Sequence, residues 1–572
     1  MLADQDRFET ASRTYTSVFK IGVSRARGST IEDVDGNRFI DFFSGVSVIN
    51  LGHGFPPVRN AVRDQLDKVV HINEMPTETR INFLKTFNST LPVELRDHSK
   101  TMFTVTGAEA CETAIELARH VTGKKTIVAF SGSYHGVSGE IISATSNPHY
   151  RGYAGIGLRD IAYIPYPYSY RFPFNVKTEE MSAYVGDMLR HMISDPYAGP
   201  GDIGGVIVEP IQGEGGYVVP PDDFLPIIRE ITQDNGVPLI LDEVQSGVGR
   251  SGRIWASEYT KVSPDIMCVS KSIGEGIPIS MIAYRNDYDE KLPPGFHLGT
   301  YRGNPLGMAA GNATLNYLKE SSVLEMVRSN GSHILKRLEE FAQNNRYIGE
   351  VRGRGYMIAL EMVDDPVTKK PGTKRAGRIK EYMFRHGVLM HTCGHYANVL
   401  RFMAPLTIEP DLFLAFPGLI MALAIAATLG PSLINATIAI TIVWWPPYVR
   451  IVRAGVLEVS ANDFVTASRA MNLSFWYIFK NDLIPNIIPT VIVYATMDVG
   501  TALLTLSTLG FLGVGIPAGT PELGLMASSI TTTLYTYPWE GLIPAVSNLS
   551  WSASILRDSG PGISVTSLGA SS

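Results

Sequence analysis

The amino-acid sequence predicts an α/β protein with a mostly parallel sheet up to about residue 411, followed by an all-α, membrane-type segment. Two observations predict this. Between residues 101 and 271, short apolar runs are each followed at once by Gly or polar residues, with helix-like spacing between them, the alternation of a sheet with crossover helices. From Leu412 to Val449 there is no Asp, Glu, Lys, Arg or His.

The average over 572 residues, 45% hydrophobic and 18% charged, is ordinary for a globular protein and conceals that change. A net charge of −6 gives no reason to expect nucleic acid, whose phosphates need a basic surface. Cys111, Cys268 and Cys393 are too scattered for a zinc site and too few for a disulfide framework, which fits a reducing compartment. The start, "MLADQDRFETASRTYTS", lacks the basic-then-apolar build of a signal peptide. No internal repeat is present, and a Ser/Gly-rich tail over 559–572 is expected to be disordered.

In chain order, "TMFTV" leads into "TGAEACETAIELARHV", "TIVAF" into "SGSYHG", "GGVIVEP" into "IQGEGG", "PLILDE" into "VQSGVGRSG", and "DIMCVS" into "KSIGEG". In such sheets ligands sit beyond the carboxyl ends of the strands, so the polar punctuation is where chemistry is expected. Gly107 allows a tight turn, and Ala110, Ala114, Leu117 and Ala118 have the spacing of a helix starting near Ala108, whose free N–H groups would face an anion. A plain helix start capped by Thr106 fits the same residues.

Asp242 ends the run "LILD", where a carboxylate is costly unless something cationic meets it. Lys271 follows "DIMCVS", where partial desolvation would make its amine a better nucleophile; a solvated surface lysine is the bland alternative. With Tyr134, these parts fall on one sheet edge. A phosphate cradle, an acid for a ring nitrogen, a Schiff-base lysine and a stacking ring are what pyridoxal phosphate requires.

Residues from about 15 to 410 resemble the class III aminotransferases, pyridoxal-phosphate enzymes of fold type I with a large, mostly parallel sheet domain and a small α+β domain. The stretches "IEDVDGNRFIDFFSGVSVINLGHGFPPV", "TGAEACETAIELA", "GSYHG", "VEPIQGEGG", "LILDEVQSGVGRSG", "SKSIGEGIPIS", "GTYRGNPLGMAA", "VRGRGYMIALEMV" and "NVLRFMAPLTIEPD" follow the family's order and spacing. The resemblance implies that Lys271 holds the cofactor and shuttles the substrate proton, and that Asp242 keeps the pyridinium protonated. It implies phosphate binding by the backbone of Gly107 and Ala108, stacking by Tyr134, a contact from Gln245 to the phenolic oxygen, and His135 among the cofactor contacts. Thr300 would reach the phosphate bound by a neighbouring subunit, so a homodimer is implied. Arg401 would grip a substrate α-carboxylate with its planar fork, while Glu214 would neutralise Arg401 for substrates lacking one; Glu209 joins them on the substrate side.

The implied division is 1–50 as the N-terminal part of the small domain, 51–300 as the cofactor-binding large domain and 301–411 as a truncated C-terminal small domain. The implied reaction is amino transfer from an amino acid or ω-amine to a 2-oxo acid, with decarboxylating or racemising chemistry as alternatives on the same scaffold. Members acting on 4-aminobutyrate or ornithine often carry arginine three residues after the stacking aromatic, where this chain has Val137. A second substrate carboxylate thereby loses its expected partner, which leaves hydrophobic or simple ω-amines and basic amino acids more open. Glu275 stands where small residues are usual.

As helix, residues 412–449 would run about 57 Å, roughly twice a hydrocarbon core, so two crossings turning at Gly430-Pro431 are expected. Trp444, Trp445 and Tyr448 suit an interfacial belt, and Arg450, Arg453, Arg469 and Lys480 then face the cytoplasm. Further apolar stretches, 483–497 and 499–521, supply at least one more crossing. Residues 412–558 resemble part of the permease of peptide-type ABC importers, through "FLAFPGLIMALAI", "YVRIVRAGVLEVSANDFVTASRAMNLSFWYIFKNDLIPN" and "LSTLGFLGVGIPAGTPELG". Membrane lipid and ABC ATPase or permease subunits are the implied partners, the middle stretch being the coupling helix, with Thr466 and Asn472 in place of the usual glutamate and glycine. The implied location is the inner membrane with the catalytic part in the cytoplasm. A complete permease has further helices before "FLAFP", and the aminotransferases have a terminal helix after "LTIEPD". Asp411 to Phe413 is therefore expected to be a seam between unrelated sequences, an accidental join whose surviving activity is transamination; a working membrane permease component and a non-functional chimera are the alternatives.

Overall fold

A computed structural model describes residues 1–152, 160–343, 345–385 and 387–410, and scattered positions between 452 and 489. The chain divides into two units, Met1–Leu414 and Ala415–Ser572, a boundary within three residues of the expected seam.

The first unit is built on a seven-stranded sheet: β1 (Ser99–Thr104), β2 (Thr126–Phe130), β3 (Ile161–Ile164), β4 (Ile203–Val208), β5 (Leu239–Asp242), β6 (Ile266–Val269) and β7 (Ser280–Arg285), in the order β1-β7-β6-β5-β4-β2-β3. The neighbours from β6 to β3 pair in parallel, and β7 runs antiparallel to both β6 and β1. All five apolar runs of the sequence are strands. The sequence did not single out β3, an edge strand only partly buried, or β7.

Strands β4, β5 and β6 are buried throughout, which explains why they read as unbroken apolar runs rather than alternating ones. Successive side chains serve opposite faces. Val206, Val208, Leu239 and Leu241 pack with Phe224, Ile228 and Ile231, whereas Ile207, Ile240 and Ile266 pack with Ala110, Ala114 and Leu117.

Those alanines belong to α1 (Gly107–Thr122), whose start is fixed by the Thr106 hydroxyl accepting from the Glu109 N–H at 3.2 Å and whose end is Gly123 at φ +69°. Both the cap and the apolar face are as the spacing predicted.

Two smaller sheets complete the first unit. Val23–Arg27, Thr30–Asp33 and Arg38–Asp41 form an antiparallel meander that Val388–Leu389 joins in parallel. Ile348–Arg354, Met357–Asp365, Val399–Phe402 and His391–Cys393 form the other, with Arg401 paired opposite Ala359 and His391.

In the second unit, Phe475–Ile478 is helical, and Val465, Ile478, Leu483 and Ile487 form a small buried cluster. Residues 412–449, 499–521 and 559–572 lie outside the described residues, as do Thr466 and Asn472 and part of 483–497. Among the described residues no helix is long and apolar enough to cross a membrane.

Candidate active site

Five carboxyl-terminal strand ends converge on one edge of the large sheet. Asp242 closes β5, Glu209 follows β4, Lys271 comes two residues after β6, the Tyr134–His135 loop follows β2, and α1 begins just beyond β1. Lys271, Asp242, Tyr134, His135, Gln245, Glu209, Glu214, Gly107 and Ala108 all line one cavity of about 210 Å³, together with Val137 and Cys111. Two close approaches shape it. A Cβ on Gly107 would press on Val244, and Gly136, at φ +126°, leaves no room for a side chain against Ala108.

Lys271 itself adopts φ +52°, a conformation costing a non-glycine residue about 1–3 kcal/mol that persists only where the surroundings enforce it. Burial pushes its ammonium below the usual lysine range, with the charges of Glu214 and Asp242 opposing that shift. The amine is thus easier to obtain in its neutral, nucleophilic form.

The cation that meets Asp242 is His135. Its Nδ1 lies 2.7 Å from Asp242 Oδ2, with both side chains buried. Burial disfavours charge on this ring, but the bond to Asp242 and contact with Cys111 outweigh it and raise the imidazole to about 10. The Cys111 thiol also donates to Oδ2 at 3.4 Å, while the Val244 N–H donates to Oδ1 at 3.0 Å. These bonds fix the Asp242 carboxyl in place at the cavity wall. Its neighbour Glu243 points the other way, accepting from Ser246, Ala256 and Ser257.

Gln245 Oε1 and His135 Nε2 are buried without a protein hydrogen-bond partner. Buried polar atoms left open at a cavity wall are what a polar aromatic cofactor would satisfy, so the residues present fit pyridoxal phosphate. The Glu209 carboxyl, expected on the substrate side, has both oxygens occupied by the N–H groups of Tyr134 (2.9 Å) and Gly213 (2.8 Å). Burial lifts it to about 7, with the His135 charge opposing.

Arg401 is buried, not on the surface, and its Nη1 donates to Glu214 Oε1. Burial opposes charge on Glu214, but the adjoining Arg401, and to a smaller extent Lys271, hold the carboxyl below its usual range. Thr300 is not brought into this cavity; it is exposed and lines a separate one with Asn73, Glu74, Met75 and Arg302.

Glu275 acquires a structural account. It sits at φ +44°, its Oε1 accepts from the Leu51 N–H at 3.0 Å, and its Oε2 is buried without a partner. Burial pushes the carboxyl up to about 8, only partly offset by the Leu51 N–H and Arg250. The folded chain then holds a proton that the unfolded chain releases above its ordinary value, so stability falls as pH rises from about 4.5 to about 8. Between pH 5 and pH 8, Glu275→Gln should gain about 1–3 kcal/mol of stability relative to the unmodified chain. Denaturant unfolding at the two pH values measures this, and a pH-independent difference would remove Glu275 as the cause.

Sequence reasoning missed the His135–Asp242 pair, the thiol of Cys111, and Arg151, which lines an adjoining cavity. The signal for the last was the Asn-Pro helix start in "NPHYR", where Asn147 caps a short helix ending at Arg151.

The seven-stranded sheet, with a lysine and an aspartate at neighbouring strand ends, defines a pyridoxal-phosphate transferase. Residues 10–420 match the model of aminotransferase class-III; the chain belongs to that family, and is a class III, pyridoxal-phosphate-dependent aminotransferase. A diaminobutyrate–2-oxoglutarate aminotransferase of Rhizobium meliloti (strain 1021) is 36% identical over 414 residues, covering 71% of this chain and 88% of that protein. The 4-aminobutyrate aminotransferase GabT of Escherichia coli (strain K12) is 33% identical over 71% of this chain and 93% of its own length. An (S)-enantioselective omega-transaminase from Thermomicrobium roseum superposes with a TM-score of 0.67 at 28% identity, over 74% of this chain and 97% of that one. An amine transaminase of an uncultivated Pseudomonas species, solved in its PLP-bound form, gives 0.66 at 28% identity, over 72% and 96%. Residues 404–557 match the inner membrane component of binding-protein-dependent transport systems, so the two matches overlap across the expected seam.

Proposed function

We propose that this enzyme transfers the terminal amino group of an ω-amino donor to a 2-oxo acid, with Lys271 as the Schiff-base lysine. The observation that carries this reading is the meeting of Lys271 and Asp242 in one cavity with Tyr134 and Gln245. Bound there, pyridoxal phosphate supplies an electron sink for the bond being broken. Asp242 would face the ring nitrogen and keep it protonated, and His135 holds the Asp242 side chain in place. Tyr134 would stack on the ring, Gln245 would bond the phenolic oxygen, and the N–H groups of Gly107 and Ala108 would take the phosphate at the start of α1. Lys271 would hold the cofactor and serve as the amine that moves the substrate proton.

The closed Arg401–Glu214 pair favours an ω-donor. With its charge cancelled, Arg401 presents no bare guanidinium to a substrate end lacking an α-carboxylate, and a 2-oxo acid would take the guanidinium by displacing Glu214. Relatives named for diaminobutyrate, 4-aminobutyrate and 5-aminovalerate support this class of donor. An isoleucine 2-epimerase of Lentilactobacillus buchneri, 30% identical, keeps racemising chemistry as the second reading, for which the same lysine would return the proton to the same carbon.

Rapid mixing of the cofactor-loaded full chain with an ω-amino donor or with a 2-oxo acid, following the visible band, tests the assignment. Glu214→Gln should slow the ω-donor half-reaction roughly 10- to 100-fold, because a buried guanidinium loses its counter-charge, and should tighten 2-oxo acid binding. Equal effects on both half-reactions would refute the pairing role, and a racemised 2-amino acid without aldehyde would select the second reading.

Beyond residue 411, the uncharged stretch and the transport-component match support membrane association of a partial peptide-type permease, with the catalytic unit on the cytoplasmic side. An accidental join remains the reading that accounts for both partial matches meeting near Asp411. The placement of Thr300 away from its own cofactor cavity supports a homodimer in which it serves the neighbouring subunit.

A further inference from the structure

A second cavity, of about 300 Å³, shares Tyr134 and Glu214 with the cofactor cavity. Those two side chains form a wall common to both cavities. Ser131, Ser146, Asn147 and Tyr150 give it a polar lining, and Arg151 and His395 are the basic residues on its wall.

Arg151 is held but not neutralised. Its Nη2 donates to the Ser146 carbonyl at 2.9 Å, and its guanidinium carbon stands 5.7 Å from the centre of the Tyr163 ring. Its Nε is buried with no hydrogen-bond partner, and among the described residues no carboxylate lies within ion-pair distance of it. Glu214, the nearest acid on the shared wall, is committed to Arg401. A guanidinium on a polar cavity wall, held by the Ser146 carbonyl and the Tyr163 ring and without a carboxylate partner among the described residues, suits a substrate carboxylate.

Val137 presents an apolar side chain to the cofactor cavity, so no charge there meets a second substrate carboxylate. The apolar side chain there leaves that charge to be met elsewhere.

We propose that Arg151 takes the substrate carboxylate remote from the reacting carbon, so that the second cavity selects ω-amino acids over ω-amines and dicarboxylic 2-oxo acids over monocarboxylic ones. This rests on and deepens the transaminase reading above, and offers the second carboxylate a partner other than the one missing at Val137.

The test compares 5-aminopentanoate with pentylamine, which match in chain length and differ in the carboxylate, on the full cofactor-loaded chain. In Arg151→Met the ratio of their kcat/KM values should fall roughly 10- to 100-fold, through KM more than kcat, as expected for loss of charge-assisted hydrogen bonds. Arg151→Lys keeps the charge and the stacked stem and should recover part of the ratio. Calorimetric binding of glutarate, which reports the same contact without turnover, should weaken in Arg151→Met. An unchanged donor ratio or unchanged glutarate affinity overturns the proposal. If the unmodified chain transfers the amino group of neither donor, the transaminase assignment of the site fails, and glutarate binding still decides the role of Arg151.

Discussion

Lys271→Ala is expected to abolish amino transfer, lowering kcat by roughly 10⁴-fold or more, because covalent capture and proton transfer are lost together. The reason is local. Lys271 sits immediately past β6, in a left-handed backbone conformation, with burial pulling its ammonium below the ordinary lysine range. Two readouts are required. Half-reaction rates measure the proton transfer, and retention of the visible cofactor band through dialysis measures capture. A variant that keeps more than about one hundredth of the activity, or that retains the band against dialysis, would assign both roles to another group. Arg at this position should not rescue either readout, since a guanidinium stays protonated at any working pH.

Asp242→Asn should reduce kcat by roughly 10²- to 10³-fold, the range seen when one electrostatic partner of a reacting centre is removed, and should weaken cofactor binding. The structure adds a signature that a merely misfolded variant would not give. His135 is raised to about 10 in competition with its burial, through its bond to Asp242. Without that carboxylate, burial is left as the dominant influence and the ring becomes neutral at pH 7. Imidazole titration by NMR, on the unmodified chain and on Asp242→Asn, therefore reads the pair directly. Should His135 titrate alike in both, Asp242 is not its anchor.

The two halves of the molecule were legible to different degrees. Short-range physics made the catalytic unit readable. Strands β4 to β6 are buried on both faces and so leave unbroken apolar runs, and α1 announces itself through Thr106 and the spacing of its alanines. The edge strand β3 left little trace, because three of its four residues are only partly buried and a short half-buried segment has no distinctive pattern. Glu275 was an anomaly in sequence and became intelligible only with the Leu51 N–H beside it, more than two hundred residues away along the chain.

By itself the sequence determined five of the seven strands of the large sheet and which of their ends carry chemistry. It also located the change of composition at residue 412, because hydrophobic periodicity, capping and charge are properties of neighbours in the chain. Tertiary structure alone decided that His135 meets Asp242 across 107 positions, and that Arg151 stands beside the cofactor cavity without a carboxylate partner among the described residues. Such pairings are set by the order in which strands enter a sheet and by which loops then share an edge, and no local pattern of residues encodes that order.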